Sequence, residues 1–327
     1  MSGNNAIERI LVVGASGYIG ANLSLSLAHN GYDVTALCYP EIPLDDYWKI
    51  EIGKVILGDL RSDEFLEDIT NQSYDLVIYL VSLNDKDSNR EPEYVNSINV
   101  LPVWKILELF EKKRTLKQFI YFSTIHVYGD VLDKMIDETS STSPVSAYGL
   151  THKMAEEICN MYNERGVIKC VNVRLSNSYG SPAISNKHCW SLVINNFCLS
   201  AHRSKSIVIK SDGLGLRDFI HSSDIAIGIN KIMTSQLTPF NNLYNLSSGS
   251  TISLFQLASH VRSAYQVRYN EEIPIKVLGV SDHKNTNPAT PYVISNKKLL
   301  SLGFDVQMQI NDGVNELFEY LDQNEVR

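Results

Sequence analysis

The sequence predicts an α/β protein built on a doubly wound parallel sheet, with a smaller, mixed lobe toward the C-terminus. Three observations predict it. The apolar run at residues 10–13 is followed by three closely spaced glycines and then by a helix pattern. Strand and helix patterns then alternate through the first half of the chain. Residues 74–81 are almost continuously apolar, as in a strand that is covered on both faces.

Each element of the first half is recognised by its hydrophobic period and its end signals. Gly31 closes the first helix pattern, Gly166 closes the last, and Pro102 predicts a break or kink within the longest one. The predicted strands cover residues 9–13, 33–37, 54–57, 74–81, 117–122 and 168–174. The predicted helices cover residues 20–30, a short acidic stretch from 63, residues 93–113 and residues 146–165.

The pattern changes after Leu175: loops lengthen, strands shorten, and Gly, Ser and Asn become more frequent. We therefore expect residues 1–174 to form a dinucleotide-binding domain to which residues 221–246 return. Residues 175–220 and 247–327 are expected to form a substrate-binding lobe.

The stretch Gly14-Ala15-Ser16-Gly17-Tyr18-Ile19-Gly20 directly follows the first strand. Glycines let the backbone turn sharply and approach a pyrophosphate, whose charge meets the positive end of the next helix. The usual dinucleotide fingerprint is G-x-G-x-x-G, and here the first interval is one residue longer. The loop therefore predicts a dinucleotide site of the Rossmann type, with a ligand-free glycine turn as the alternative.

Composition limits the function classes. The chain has 327 residues, a net charge of −8 and a pI near 5.5, which argue against a nucleic-acid surface. Its N-terminus lacks a signal-peptide core, and no apolar run reaches the roughly 18 residues of a membrane span. The five cysteines show no metal-ligand spacing, so we expect free thiols, no metal site and a cytoplasmic protein.

Four further stretches follow in order: residues 122–129, 147–156, 174–180 and 216–224. Their sequences are FSTIHVYG, AYGLTHKMAE, RLSNSYG and LRDFIHSSD. Together with the glycine loop they resemble the extended short-chain dehydrogenase/reductases, in particular the epimerase/dehydratase family that acts on nucleotide-linked sugars. The resemblance extends over the whole chain at near-family spacing.

The resemblance implies that Tyr148 is the catalytic acid/base and that Thr124 shares its hydrogen bond. Hydride transfer between a nicotinamide and a sugar carbinol requires the hydroxyl proton to leave or return. A tyrosine can move this proton if its pKa, near 10 in water, is lowered.

The family pattern is Tyr-x-x-x-Lys, but the fourth residue after Tyr148 is His152, and Lys153 follows it. Four helical residues return to within about 40° of the starting direction, whereas five overshoot to about 140°. His152 is therefore predicted to share the face of Tyr148 and to bind the cofactor ribose, and Lys153 to be a solvated charge. Because the charge of a histidine depends on its environment, full activity stays open.

The predicted cofactor is NAD, with NADP not excluded. Cys38 and Tyr39 stand where the family commonly places the residue that selects between them, and no Arg or Lys follows that strand. Asp59 matches the family residue that reaches the adenine. The predicted cofactor site comprises Gly14, Ser16, Gly17, Tyr18, Ile19, Gly20, Asp59, Leu60 and His152.

Family members that dehydrate 4-keto sugars carry an Asp-Glu pair after the catalytic Thr, where this chain has Ile125-His126. The resemblance therefore favours a nucleotide-sugar epimerase, with a 4-keto-sugar reductase as the alternative. A dinucleotide-binding sensor that has lost turnover is a third possibility, favoured by the missing lysine.

For the substrate, the resemblance implies roles for His126, Asn177 and Arg217, the last as a phosphate ligand. Residues 186–202 are expected at the base and sugar pocket, and Asp218, His221 and Asp224 are expected to fix loops and cap a helix. We also expect a homodimer in which helix residues 103–110 pack with the face of Ile158 and Met161.

Overall fold

Repeated strand–helix units place seven parallel strands side by side. The computed structural model describes residues 7–130, 134–185, 187–235, 242–279, 292–324 and 326. The strands of the large sheet are β1 (Arg9–Val13), β2 (Asp33–Cys38), β3 (Lys54–Leu57), β4 (Tyr74–Tyr79), β5 (Leu116–Thr124), β7 (Lys169–Leu175) and β11 (Leu243–Leu246). Their order is β11-β7-β5-β4-β1-β2-β3, and every neighbouring pair is parallel. This is the predicted doubly wound sheet.

Shorter strands lie outside the large sheet. They are β6 (Met135–Ile136), β8 (Asn177–Tyr179), β9 (Ile207–Ile209), β10 (Leu216–His221), β12 (Thr251–Ser253), β13 (Ile275–Val277) and β14 (Val293–Ile294). The helices are α1 (Tyr18–His29), α2 (Asp46–Ile52), α3 (Asp63–Thr70), α4 (Pro92–Asn99), α5 (Leu101–Lys113), α6 (Ala147–Arg165), α7 (Val193–Ser204), α8 (Ser222–Thr234), α9 (Leu254–Tyr269), α10 (Lys297–Leu300) and α11 (Ile310–Gln323). Short 3₁₀ turns cover Asp87–Asn89, Ile125–Tyr128 and Lys187–Ser191.

The large sheet is buried on both faces because successive side chains of a strand point to opposite sides. In β1, Ile10 and Val12 join one apolar core, whereas Leu11 and Val13 join the other. This two-sided burial explains why the central strands read as continuous apolar runs.

One predicted break is confirmed, and one helix was not predicted. The pattern over residues 93–113 forms two helices, α4 and α5, that meet at Val100, and Pro102 stands in the first turn of α5, where a missing N–H is tolerated. Helix α2 was not predicted. Asp45 caps it by accepting from the backbone N–H groups of Tyr47 at 2.9 Å and Trp48 at 3.4 Å.

A third apolar core lies between α7, α9 and α11, next to the small sheet β12-β10-β8. Strand β11 returns to the edge of the large sheet, and α8 packs on α1. Leu299 and Phe304 also pack in one core of the large sheet. The last part of the chain therefore contributes both to that core and to the third core. Among the described helices, none is long and apolar enough to cross a membrane.

The prediction of which helix face forms a dimer interface is wrong. Val103, Ile106, Leu107 and Phe110 are fully buried against the large sheet, and Ile158 and Met161 pack in the same core. These residues carry the helical apolar spacing because they cover the sheet of their own protomer.

Candidate active site

Two adjoining cavities open at the carboxyl ends of the sheet strands, on either side of the glycine loop. Their volumes are about 380 and 430 Å³, and both are lined by Gly14, Gly17, Leu80 and Ser82. We call the first the tyrosine cavity, because Tyr148 lines it, and the second the Asp59 cavity. In doubly wound sheets, ligands bind in this crevice.

The glycine loop leaves the start of α1 open. Gly14 has a φ of +88°, a backbone conformation that favours glycine. The Gly17 N–H donates to the Gly14 carbonyl oxygen at 3.0 Å. Gly17 is the N-cap of α1, makes no side-chain cap, and is followed by no acidic residue in the first turn. The positive end of the helix is thus available to an anion.

The three glycines have different surroundings. A β-carbon at Gly17 would lie 3.2 Å from the Gly14 carbonyl oxygen, with no other contact within 4 Å outside its chain neighbours among the described residues. A β-carbon at Gly20 would lie 2.3 Å from that oxygen. Gly20 is therefore required by the packing of the helix on the glycine loop, whereas Gly17 keeps room above the loop. This room fits a pyrophosphate.

The Asp59 cavity is lined by Cys38, Tyr39, Asp59 and Leu60 and also by Ser16 of the glycine loop. Burial raises the pKa of the Cys38 thiol to about 11, so this residue offers no charge at the end of β2.

Arg61, which the sequence analysis did not single out, lines the same cavity. Its Nε lies 3.0 Å and its Nη2 2.5 Å from Asp59 Oδ2, and Nη2 lies 3.4 Å from the Tyr39 hydroxyl. Hydrogen bonding to Arg61 holds the pKa of the Asp59 carboxyl below its usual range. Asp59 and Arg61 are therefore both ionised and form an ion pair.

Tyr148 and Thr124 meet in the tyrosine cavity. Thr124 ends β5, and Tyr148 lies in the first turn of α6, which Ser146 caps by accepting from the Gly149 N–H at 3.1 Å. Burial raises the pKa of the Tyr148 hydroxyl, and a hydrogen bond with the Thr124 side chain opposes this rise. At neutral pH the phenol keeps its proton in the free protein.

His152 lies one turn after Tyr148 and lines the same cavity. The two rings meet edge to face with centroids 4.6 Å apart. His152 Nδ1 lies 2.8 Å from the Tyr121 hydroxyl, while the buried Nε2 has no hydrogen-bond partner among the described residues. Burial, with a smaller contribution from nearby His126, lowers the pKa of His152 to about 3. The structure therefore answers the question that the sequence left open: His152 is neutral.

Lys153 points away from the tyrosine cavity, as the helix register predicts. Its Nζ pairs with the carboxylates of Glu157 at 2.5 Å and Glu156 at 3.5 Å.

The substrate residues are only partly brought together. His126 and Asn177 line the tyrosine cavity, and the His126 ring meets the Tyr148 ring edge to face with centroids 5.6 Å apart. Arg217 does not line either cavity. Its Nη1 donates to the Leu216 carbonyl at 2.7 Å, so its guanidinium is occupied outside the site in this structure.

The stretch expected at the sugar pocket, residues 186–202, contributes His188, Cys189, Ser191 and Leu192 to the tyrosine cavity. Trp190 instead packs in the third core, 5.9 Å from the Tyr320 ring, and Asn186 lies outside the described residues.

Asp218, His221 and Asp224 have the loop-fixing contacts that the sequence predicts. Asp218 is fully buried and accepts from Ser176, Ser248, Gly249 and Ser250. His221 is the N-cap of α8, and Asp224 accepts from the backbone N–H groups of Gln307 and Met308.

Behind Thr124 lies a buried ion pair that sequence reasoning missed. Glu156 accepts from Arg174 Nε at 2.8 Å and Nη2 at 2.7 Å, and from the Ser123 hydroxyl at 2.6 Å. Arg174 also stacks on the Tyr128 ring at 4.6 Å. The two charges stand 18 positions apart in sequence, so only their predicted place on a neighbouring helix and strand could have suggested the pair.

Fold and cavities together define the class: a Rossmann-type protein with an open glycine-loop helix and a tyrosine-lined cavity beside it. The model of the NAD dependent epimerase/dehydratase family matches residues 10–247, and the chain belongs to this family. The predicted family, with NAD as cofactor and an enzymatic role, is thereby confirmed.

The chain is similar to curated relatives over nearly its whole length. It is 26% identical over 317 residues to a putative UDP-glucose 4-epimerase of Methanocaldococcus jannaschii, covering 96% of this chain and 99% of the relative. It is 24% identical over 327 residues to the dTDP-D-glucose 4,6-dehydratase of Bos taurus, covering 97% and 89%. The solved UDP-glucose 4-epimerase of Thermotoga maritima superposes with a TM-score of 0.83 at 22% identity, covering 96% and 99%.

Proposed function

We propose that the protein is an NAD-dependent epimerase of a nucleotide-linked sugar. The observation that carries the proposal is the position of Tyr148, beside Thr124 and His152, in a cavity that continues to the open N-terminus of α1. A proton-transfer group and a pyrophosphate cradle are thus part of one crevice.

The residues fit NAD. The N–H groups at the start of α1, with Gly14, Ser16, Gly17, Tyr18, Ile19 and Gly20 around them, would hold the pyrophosphate. Asp59 and Leu60 would lie toward the adenosine, and His152 toward the nicotinamide ribose. Bound NAD would supply a reversible hydride acceptor for a sugar carbon.

Tyr148 would take the proton of the sugar hydroxyl when the carbon is oxidised and give it back when the carbon is reduced. The Thr124 hydroxyl would share the hydrogen bond to the reacting oxygen. The neutral His152 can orient the ribose through Nε2, but it supplies no positive charge to lower the pKa of Tyr148.

For the substrate, similarity to UDP-glucose 4-epimerases supports a UDP-linked hexose and reaction at C4. We propose that His126 and Asn177 contact this substrate, and that Arg217 binds its phosphates after leaving the Leu216 carbonyl. Residues 175–220 and 247–327 would form the substrate lobe, and residues 1–174 with 221–246 the dinucleotide domain.

Dehydration at C5 and C6 is not favoured, although a dehydratase is among the relatives. Ile125 and His126 stand where dehydrating members carry two carboxyl groups, and His126 is kept neutral because burial lowers its pKa. A 4-keto-sugar reductase uses the same Tyr148 chemistry in one direction and stays the enzymatic alternative.

A specific observation favours a second class, a dinucleotide-binding sensor. His152 is neutral and the pKa of Tyr148 is raised, so the free protein lacks the activation of the phenol that the resemblance implies.

One experiment separates the three functions. Purified protein is incubated with UDP-glucose and a trace of NAD, and the sugar protons are followed by NMR. An epimerase produces the C4 epimer with no net use of NAD. A parallel sample holds a UDP-linked 4-keto sugar and NADH instead. A reductase leaves UDP-glucose unchanged in the first sample but consumes one NADH for each keto sugar in the second. A sensor binds NAD and turns over neither, which would contradict the enzymatic proposal.

We also propose a homodimer, through a different face from the one predicted by sequence. Leu101 and Trp104 of α5, and Leu150 and Met154 of α6, are exposed, with Trp104 46% exposed. Exposed large apolar residues on two neighbouring helices indicate an interaction surface. All five cysteines are buried and outside any disulfide bond among the described residues, which fits the proposed cytoplasmic location.

A further inference from the structure

The Tyr121 hydroxyl contacts the histidine that replaces the family lysine. Tyr121 is 1% exposed and lies on β5, three residues before Thr124. Its hydroxyl oxygen is 2.8 Å from His152 Nδ1. The rings of the two residues have centroids 5.8 Å apart.

Because His152 is neutral, it carries one proton, and the hydrogen bond at Nδ1 decides where. A phenol is the stronger donor of the two groups, and an unprotonated imidazole nitrogen is a good acceptor. Both properties favour donation from Tyr121 to Nδ1, which leaves the imidazole proton on Nε2. Nε2 is the buried nitrogen without a partner among the described residues, and His152 lines the tyrosine cavity.

We propose that Tyr121 is a positioning residue for cofactor binding: it fixes His152 as the Nε2–H form, which donates to a hydroxyl of the nicotinamide ribose. The inference rests on the proposed function, because it places NAD in this cavity. A lysine ammonium can rotate any of its three protons toward a ligand. An imidazole has two different nitrogens and needs a neighbour to select one.

Packing alone does not explain the Tyr121 hydroxyl. Tyr79 stands directly opposite Tyr121 on β4, is equally buried, and has its ring centroid 6.2 Å away. The Tyr79 hydroxyl has no hydrogen-bond partner among the described residues. The two tyrosines share one environment, and Tyr121 is the one that contacts the site. Tyr79 is thus a matched control.

The test compares Tyr121→Phe with Tyr79→Phe in the full-length protein. Two quantities are measured without any sugar: the side-chain ¹⁵N chemical shifts of His152 by NMR, and the Kd of NAD by calorimetry. We expect the shifts of the wild type to report the Nε2–H form. Tyr121→Phe should mix the two neutral forms and weaken NAD binding about two- to tenfold, the range of one hydrogen bond.

Tyr79→Phe should change neither quantity. In a His152→Ala background, Tyr121→Phe should add no further loss of NAD affinity, because the two residues act as one unit. Circular dichroism and urea unfolding show whether each variant is folded.

The proposal is overturned if Tyr121→Phe leaves both the shifts and the Kd unchanged. It is also overturned if Tyr79→Phe weakens NAD binding equally, since the effect is then general to the core. Failure of the proposed function is a separate result: a protein that binds NAD with the expected Tyr121 dependence but converts no nucleotide sugar keeps this inference and loses the epimerase.

Discussion

The rings of Tyr148 and His152 meet edge to face, with centroids 4.6 Å apart and no charge on either ring at neutral pH. The family pattern has a lysine at the position of His152, and the positive charge of that lysine favours the phenolate form of the tyrosine. Here the neighbour is a neutral imidazole, and burial raises the pKa of the phenol. The chain therefore keeps the acid/base residue but lacks a fixed charge to activate it. The predictions below test this pair and its surroundings.

Removing the phenol oxygen should abolish most of the turnover. Tyr148→Phe is expected to lower kcat about 10²- to 10⁴-fold, because a positioned proton-transfer group contributes that much. NAD affinity, measured by calorimetry, should stay within a factor of about two of the wild type. Lys153→Ala is the matched control on the same helix and should keep the wild-type rate, since Lys153 pairs with Glu156 and Glu157. A wild-type rate for Tyr148→Phe would rule out the proposed acid/base role.

Restoring a cation should shift the pH dependence of turnover. His152→Lys places a positive charge beside the phenol, which lowers the pKa of Tyr148. The rising limb of the kcat profile should therefore move to lower pH, and activity near neutral pH should be kept or raised. His152→Gln carries no charge and should leave the limb in place. Equal profiles for the Lys and Gln variants would show that the charge at this position does not control Tyr148.

His152 should make the fold sensitive to acid. Its pKa is about 3 in the folded protein, and the ordinary value is 6.5. Between these values the unfolded chain binds a proton that the folded protein does not, so stability is complete above the unfolded pKa and falls as pH decreases. The cost is about 1.4 kcal/mol per pH unit.

Urea unfolding at about pH 7.5 and about pH 5 measures this effect, expected near 2 kcal/mol for the wild type from this residue. His152→Gln should remove that part of the difference. If the variant loses as much stability as the wild type, the buried histidine is not the source.

The glycines should separate binding from folding. Gly17→Val should abolish NAD binding, because the new side chain occupies the room above the loop, and leave the unfolding midpoint little changed. Gly20→Val should lower the unfolding midpoint, because its β-carbon would lie 2.3 Å from the Gly14 carbonyl oxygen. Calorimetry and thermal unfolding on both variants give the comparison. NAD affinity retained in folded Gly17→Val would contradict the pyrophosphate cradle.

The dimer should depend on the outer helix face. Trp104→Glu is expected to give a monomer by light scattering at micromolar concentration, because it puts a charge in an apolar contact. Val267→Glu on α9 replaces an even more exposed apolar residue away from this face and should leave the mass unchanged. A wild-type protein that is already monomeric would end the proposal.

Much of the fold was predictable from local sequence. The strands 9–13 and 54–57 have the predicted bounds, since apolar runs that end in glycine or acidic residues mark them without reference to the rest of the chain. The break near Pro102 follows from the missing N–H. The helix beginning at Asp46 was missed, because its cap and its two buried residues leave too short a periodic signal.

Apolar spacing did not say which partner the helices bury against. The stripe from Val103 to Phe110 suits a sheet or a second copy equally well, and the structure assigns it to the sheet. By contrast, the sequence did place His152 beside Tyr148, because helical periodicity fixes which residues of one helix share a face.

The sequence by itself thus determined the order of elements, the glycine loop and the face shared by Tyr148 and His152, all of which depend on local periodicity and backbone freedom. Only the tertiary structure decided the charge of His152, its contact with Tyr121 and the pairing of Asp59 with Arg61 in the second cavity. Burial and hydrogen bonding set these properties. Both depend on side chains that strands and loops far apart in the sequence bring together, and a short stretch of sequence does not show which side chains will meet.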